Sequence, residues 1–197
     1  MADTGDYYEQ HAEQFYQDTI GVDMAPLYAR FLAHAPAGKA ILDAGCGSGR
    51  DALAFKKRGY PVHAFDASEA LAHKASELLG QPVAHQSFEQ FDEAARYGGI
   101  WACASLLHLP EKTLPEAFER LWSALLPSGV FYCSFKLGDG ERVKDGRRFT
   151  DANEIRVEQW TQHLNDCEAR QFWFTEDRRP GREERWLNVL LFKAAVK

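Results

Sequence analysis

The segment Ile41-Leu42-Asp43-Ala44-Gly45-Cys46-Gly47-Ser48-Gly49-Arg50 constrains the fold more than any other part of the chain. A short apolar run meets three glycines at alternate positions, and a helical pattern starts at Arg50. Lacking Cβ atoms, such a turn bends tightly and lets a ligand approach bare backbone. At the carboxyl end of a first strand it lies where open α/β sheets bind nucleotide-like ligands. Asp66 stands seventeen residues past Gly49, at the end of the next apolar run, Pro61 to Asp66. A carboxylate there can accept both hydroxyls of an adenosine ribose. The spacing is GxGxG, not the GxGxxG of dinucleotide turns, and Asp43 lies two residues before the first glycine. That acid would repel a pyrophosphate and attract a cationic ligand.

The surrounding pattern supports an open sheet. Short apolar runs recur at Pro82–His85, Ile100–Ala104 and Val130–Phe135, each bounded by Gly, Pro or charge. Between them lie helical stretches. Ser68 reads as an N-cap before Leu71, Ala75 and Leu78. Leu114, Phe118, Leu121 and Leu125 form one apolar face, and Pro127 and Gly129 end that helix near Leu126. This alternation predicts parallel strands joined by right-handed crossovers. Tyr7–Tyr16 and Met24–Ala35 read as helices before the core, broken near Gly21. After it come a Gly- and charge-rich loop, Gly138–Thr150, and a helix over Glu154–Asn165. Arg170–Thr175 and Arg185–Phe192 read as strands, and the polar connection between them predicts an antiparallel pair.

Composition narrows the class. With 197 residues, 23 basic and 29 acidic, the chain carries a net charge of −6. That balance argues against nucleic acid as the main partner, which would demand Lys and Arg. No apolar stretch reaches the ~18 residues of a membrane span, and the opening MADTGDYYEQHAEQF is unlike a secretory signal or transit peptide. Cys46, Cys103, Cys133 and Cys167 are scattered without a CxxC pair. They read as reduced thiols of a cytoplasmic protein, not as a disulfide framework or a metal site.

ILDAGCGSG followed by Asp66 in VHAFDAS resembles the first two motifs of class I S-adenosylmethionine-dependent methyltransferases. The resemblance spans Lys39 to about Phe135. GRDALAF, WACASLLHLP, SFKLGDGE, DGRRFT and the Trp186 strand also look like the small bacterial methyltransferases related to tellurite resistance. The resemblance implies a Rossmann-like, doubly wound, mostly parallel seven-stranded sheet with an antiparallel last strand and helices on both faces. It implies one domain over 1–197: a helical lid at 1–36, a cofactor core at 37–135, and a substrate-side loop, helix and hairpin at 136–197.

S-adenosylmethionine is the implied cofactor. Asp43, Gly45 and Gly47 would surround its methionine end, Asp66 its ribose, and Ala67 and Ser68 its adenine, with Cys46 and Gly49 of the same turn also among the cofactor-binding residues. Ser87 and Phe88 match the adenine edge, although many relatives carry an acid where Ser87 stands. Ala102, Cys103 and Ala104 match the strand end that passes the methionine moiety. The fourth strand opens Tyr97-Gly98 where relatives have Phe-Asp. Tyr7, Tyr8, Phe15 and Tyr16 precede the core, where lid helices close in this family, and Tyr8 and Arg30 are expected at the cofactor carboxylate.

His108, after the fourth strand, is the candidate general base for an acceptor that loses a proton. Lys136 and Arg148 are the candidate acceptor contacts, within a basic set that includes Arg147, Arg178, Arg179, Arg182 and Arg185. A chain of this length leaves little room for a macromolecule-binding domain, so the expected acceptor is a small molecule; the sequence leaves the oligomeric state open. The glycine spacing speaks against an NAD-dependent oxidoreductase. A non-catalytic S-adenosylmethionine-binding protein would carry the same cofactor motifs.

Overall fold

In the computed structural model, which describes residues 4–179 and 181–196, the apolar runs become strands and the patterned stretches between them become helices. Helices α1 (Thr4–Gln10), α2 (Ala12–Ile20) and α3 (Ala25–Leu32) precede β1 (Ile41–Ala44). There follow α4 (Arg50–Lys57), β2 (Val62–Asp66), α5 (Glu69–Leu79), β3 (Ala84–His85) and β4 (Tyr97–Ala102). Then come α6 (Leu114–Ala124), β5 (Leu125–Lys136), β6 (Glu141–Lys144), β7 (Arg147–Thr150), α7 (Glu154–Thr161), β8 (Cys167–Glu176) and β9 (Arg185–Lys193).

Seven strands form one sheet in the order β3-β2-β1-β4-β5-β9-β8. β3 to β5 run parallel, and β9 runs antiparallel to both of its neighbours. The fold is therefore the doubly wound, mostly parallel sheet expected. Strand order reverses between β1 and β4, so a crevice opens beyond their carboxyl ends.

Period-two alternation supplies both cores. Val130 and Tyr132 of β5 face a layer built from α3, α4 and α5, with Phe31, Phe55 and Ala75 fully buried. Phe131, Cys133 and Phe135 face the opposite layer, with Leu121 of α6 and Val157 of α7. Trp101 stacks on Tyr132 at 3.9 Å between ring centres. Among the described residues no helix is long and apolar enough to cross a membrane.

Several boundaries differ from those the sequence predicts; β4 and β8 each start three residues early, α3 ends three residues early, and four further differences matter more. The first helix is two, divided at His11, whose backbone leaves helical geometry at φ −115° and ψ 17°. The expected loop Gly138–Thr150 contains the β6–β7 hairpin. Its turn residues Asp145 and Gly146 both have positive φ, 52° and 75°, as a tight Asp-Gly turn requires. β5 starts at Leu125, five residues early, and absorbs Pro127 and Gly129 in a bulge between the pairs Tyr97–Leu125 and Gly99–Val130. The last helix stops at Thr161 instead of Asn165.

Candidate active site

A cavity of about 810 Å³ opens at the switch point, roofed by α1 and α2. The glycine turn, Asp66, Ala67, Ser68, Ser87, Phe88 and Cys103–Ser105 line one half; His108, Lys136, Arg147 and Trp186 line the other.

The glycines do different work. Gly45, at φ +72°, leaves so little room that an added Cβ would lie 2.5 Å from Ser105 Cβ. At Gly47, φ +55°, a Cβ would meet the Phe15 ring of the roof at 2.9 Å. Gly49 starts α4 and packs on Ala75 of α5; it does not border the cavity.

Asp66 is 9% exposed, with Oδ2 accepting the Gly47 N–H at 2.7 Å and Oδ1 the Ser68 N–H at 2.9 Å. Burial pushes its pKa up, and these two donors oppose the shift. A carboxylate has about four lone-pair sites, so these donors leave it capacity to accept from a ligand hydroxyl. Ser68 caps α5 by accepting the Leu71 N–H, and it donates to Glu9 of α1 at 2.8 Å. Glu9 also accepts the Ala70 N–H at 3.1 Å, so the roof is pinned to the start of α5. Phe88 sets its ring edge-on to Phe65, at 5.3 Å.

Beneath the glycine turn lies a buried acid pair. Asp43 accepts the Ala52 N–H at 3.0 Å, and burial together with the neighbouring Asp51 raises its pKa. Asp43 underlies the cavity wall and does not line it. Burial also opposes ionisation of Asp51. The Arg50 guanidinium and hydrogen bonds from Arg50, Tyr28 and Trp101 outweigh that and hold Asp51 ionised. Arg50 faces the cavity and reaches the Thr19 carbonyl at 3.2 Å. Arg30, expected at the cofactor carboxylate, is instead exposed and lies 3.9 Å over the Trp173 ring, outside the cavity. Its position on the outward face of α3 takes it there, and Arg50 is the cation at that end.

Ala102 is fully buried behind the wall, whereas Cys103 and Ala104 border the cavity. Ala104 takes a left-handed φ of 51°, uncommon without glycine. Ser134 Oγ accepts its N–H at 2.8 Å, and Ser105 Oγ donates to the Ala44 carbonyl at 2.7 Å, fixing the bend. Burial pushes the Cys103 thiol up to about 12, so it stays protonated and is no nucleophile.

In the other half, His108 Nδ1 lies 2.8 Å from the Arg148 carbonyl and Nε2 lies 2.8 Å from the Tyr8 hydroxyl. A carbonyl only accepts, so Nδ1 carries the proton and Nε2 accepts from Tyr8. Burial, with the Arg147 and Lys136 charges, lowers the His108 pKa to about 4. Tyr8 therefore borders the cavity but spends its hydroxyl on His108. Lys136 pairs with Glu184 and sits 4.4 Å over the Phe149 ring. Arg148 turns its side chain to Glu141, at 3.2 Å, and serves the site mainly through its carbonyl.

Sequence reasoning passed over Arg50, Asp51, Ser105 and Ser134. Arg50 and Asp51 had a signal, since they occupy the first turn of the helix that follows the glycines. The two serines had none, because only the sheet register brings them there.

A family model described as a methyltransferase domain matches residues 13–177. None of the curated proteins matches the chain. Among solved structures, the chain is similar to a Burkholderia thailandensis 1,6-didemethyltoxoflavin-N1-methyltransferase with 1,6-didemethyltoxoflavin and S-adenosylhomocysteine bound. Identity there is 21%, covering 96% of this chain and 84% of that one, with a TM-score of 0.73. It is similar to the magnesium protoporphyrin IX methyltransferase of Synechocystis PCC 6803 with SAM bound, at 19% identity, 94% and 93% coverage and a TM-score of 0.69. An Archaeoglobus fulgidus SAM-dependent methyltransferase matches at 13% identity, 95% and 100% coverage and a TM-score of 0.72.

Proposed function

The chain belongs to the methyltransferase-domain family, and from that premise we propose that it carries the methyl group of S-adenosylmethionine to a small-molecule acceptor in the far half of the cavity. The observation that carries the reading is Asp66, clamped at the cavity wall by the Gly47 and Ser68 amides, one on each oxygen. The residues fit the cofactor. Asp66 can hold both ribose hydroxyls, while Ala67, Ser68, Ser87 and Phe88 border the adenine. Gly45 and Gly47 leave bare backbone beside the methionine end, with Cys46, Cys103 and Ala104 around it and Arg50 available for its carboxylate. Asp43 and Gly49 act from behind the wall, one by charge and the other by packing.

When bound, S-adenosylmethionine supplies a methyl group already activated by its positive sulfur, so the protein need not provide a strong nucleophile. The chain's own part is to exclude water, align the acceptor and manage its proton. Alignment of this kind is worth roughly 7–11 kcal/mol in intramolecular reactions. Helices α1 and α2 act as the lid over the core at 37–135, and the segment 136–197 forms the acceptor side. α3 packs into the apolar core and also brings Leu27 and its N-cap Met24 to the cavity, where it would close the helical lid at 1–36. A positive charge near Asp43 favours its ionised form. For substrates that must lose a proton, Tyr8 would take it while passing its own hydroxyl proton to the neutral Nε2 of His108.

The finer placement among tellurite-resistance-related methyltransferases is also proposed. It is supported by the way His108, Arg147, Arg148 and Trp186, all from the segments that suggested it, meet in one cavity. The four free cysteines suit a cytoplasmic setting.

Isothermal titration with S-adenosylhomocysteine, then incubation with methyl-labelled S-adenosylmethionine and a small-molecule extract, tests the function. Heat on titration and label in a small molecule are expected. Binding without label transfer would favour a non-catalytic binding protein. Asp66→Asn should raise the Kd at least tenfold, about 1.4 kcal/mol.

A further inference from the structure

The cations of the acceptor half differ in how far the protein already satisfies them. Lys136 is paired with Glu184. Arg179 makes two hydrogen bonds to Asp177, at 2.9 and 2.5 Å. Arg148 reaches Glu141 at 3.2 Å. Arg178 and Arg182 are exposed, and among the less exposed cations Arg147 is the exception. Its ion-pair partner, Asp145, is 3.9 Å away, and that carboxylate is 65% exposed at the hairpin turn. The Arg147 side chain is 18% exposed, and its Nε is buried with no hydrogen-bond partner among the described residues. The guanidinium lies 4.4 Å over the Tyr7 ring and 5.3 Å over the Phe149 ring and hydrogen-bonds the Tyr8 hydroxyl, which leaves Nε as the unpartnered donor.

A guanidinium offers five donors in a rigid fork matched to a carboxylate or similar oxyanion. A buried donor left unmade is unfavourable, so a ligand group that accepts from it gains more than one meeting a satisfied cation. Trp186 and Phe149 line the same half of the cavity and offer aromatic surface to a flat body behind the anionic group.

Resting on the methyltransferase reading above, we infer that the acceptor is a small, flat organic anion whose carboxylate or equivalent oxyanion is held by Arg147. Arg148, though adjacent, is already neutralised by Glu141 and does not read this charge. Because Arg147 sits in β7 beside α1, the anion also ties the acceptor to the lid.

The test is titration of the full chain, with and without saturating S-adenosylhomocysteine, using 4-hydroxybenzoate and its neutral counterpart 4-hydroxybenzamide. The benzoate should bind at least tenfold more tightly than the amide. Arg147→Gln should erase that preference, and Arg148→Gln should keep it. Equal affinity for the two probes, no binding of the benzoate at millimolar concentration, or a preference surviving Arg147→Gln would overturn the inference. Failure of S-adenosylhomocysteine itself to bind would sink the cofactor reading separately, since the probe pair is also compared without it.

Discussion

At the scale of single residues, the site rests on a few positions whose neighbours permit no alternative. Gly45 needs both a left-handed backbone and the absence of a Cβ, because Ser105 fills the space. Gly45→Ala should cost about 2–4 kcal/mol in denaturant unfolding, combining strain with overpacking. Gly21→Ala, where nothing lies within 4 Å and φ is −93°, should change stability by less than about 0.5 kcal/mol. His108 gives a pH signature. Its pKa falls from an ordinary 6.5 to about 4 in the folded chain, so the unfolded chain binds more protons between those values. Its contribution is complete above pH 6.5 and is lost as pH falls towards 4. The loss should be on the order of 2 kcal/mol, allowing for solvent screening. His108→Gln should flatten that part of the stability–pH profile. Asp66 and the glycines were legible because their chemistry is local to one turn and the next strand. Arg30 misled because its type suits a carboxylate, while its helical phase points it at Trp173.

At the scale of elements, the roof is held by polar and ring contacts at its edges and by little buried apolar area. Glu9 reaches the α5 start, Tyr8 reaches His108, and α1 itself buries no residue. Elements held this way open at low free energy. Hydrogen exchange should therefore be fast in α1 and α2, slow in β1 and β4, and markedly slower in α1 and α2 once S-adenosylhomocysteine is added. Glu9→Gln should speed exchange at Ala70 and in α1 while leaving β4 unchanged. Most strands and helices could be read from periodicity, since buried strands and amphipathic helices write their burial into the sequence. The β6–β7 hairpin could not be read that way, because all four residues of β6 are exposed and polar residues dominate it. Its one local mark was the Asp145-Gly146 pair. The early start of β5 was hidden for the opposite reason, since Pro127 and Gly129 signal a break that the sheet accommodates by bulging.

At the scale of the whole molecule, one sheet joins cofactor half and acceptor half, so a ligand in the cavity bears on the stability of the entire fold. S-adenosylhomocysteine at a hundred times its Kd should add about 2.7 kcal/mol, raising the Tm by roughly 5–10 °C for a domain of this size. Differential scanning calorimetry with and without it reads the shift. The place of β9 has a consequence for how such a molecule is made. β8 meets the rest of the sheet only through β9, although it precedes β9 in the chain. A ribosome that has not yet delivered Arg185–Lys193 holds a nascent chain with two open edges, β5 and β8, that cannot bond to each other in the native way. During that interval both edges are templates for foreign strands, and a chaperone that shields them would act before the final strand slides between them.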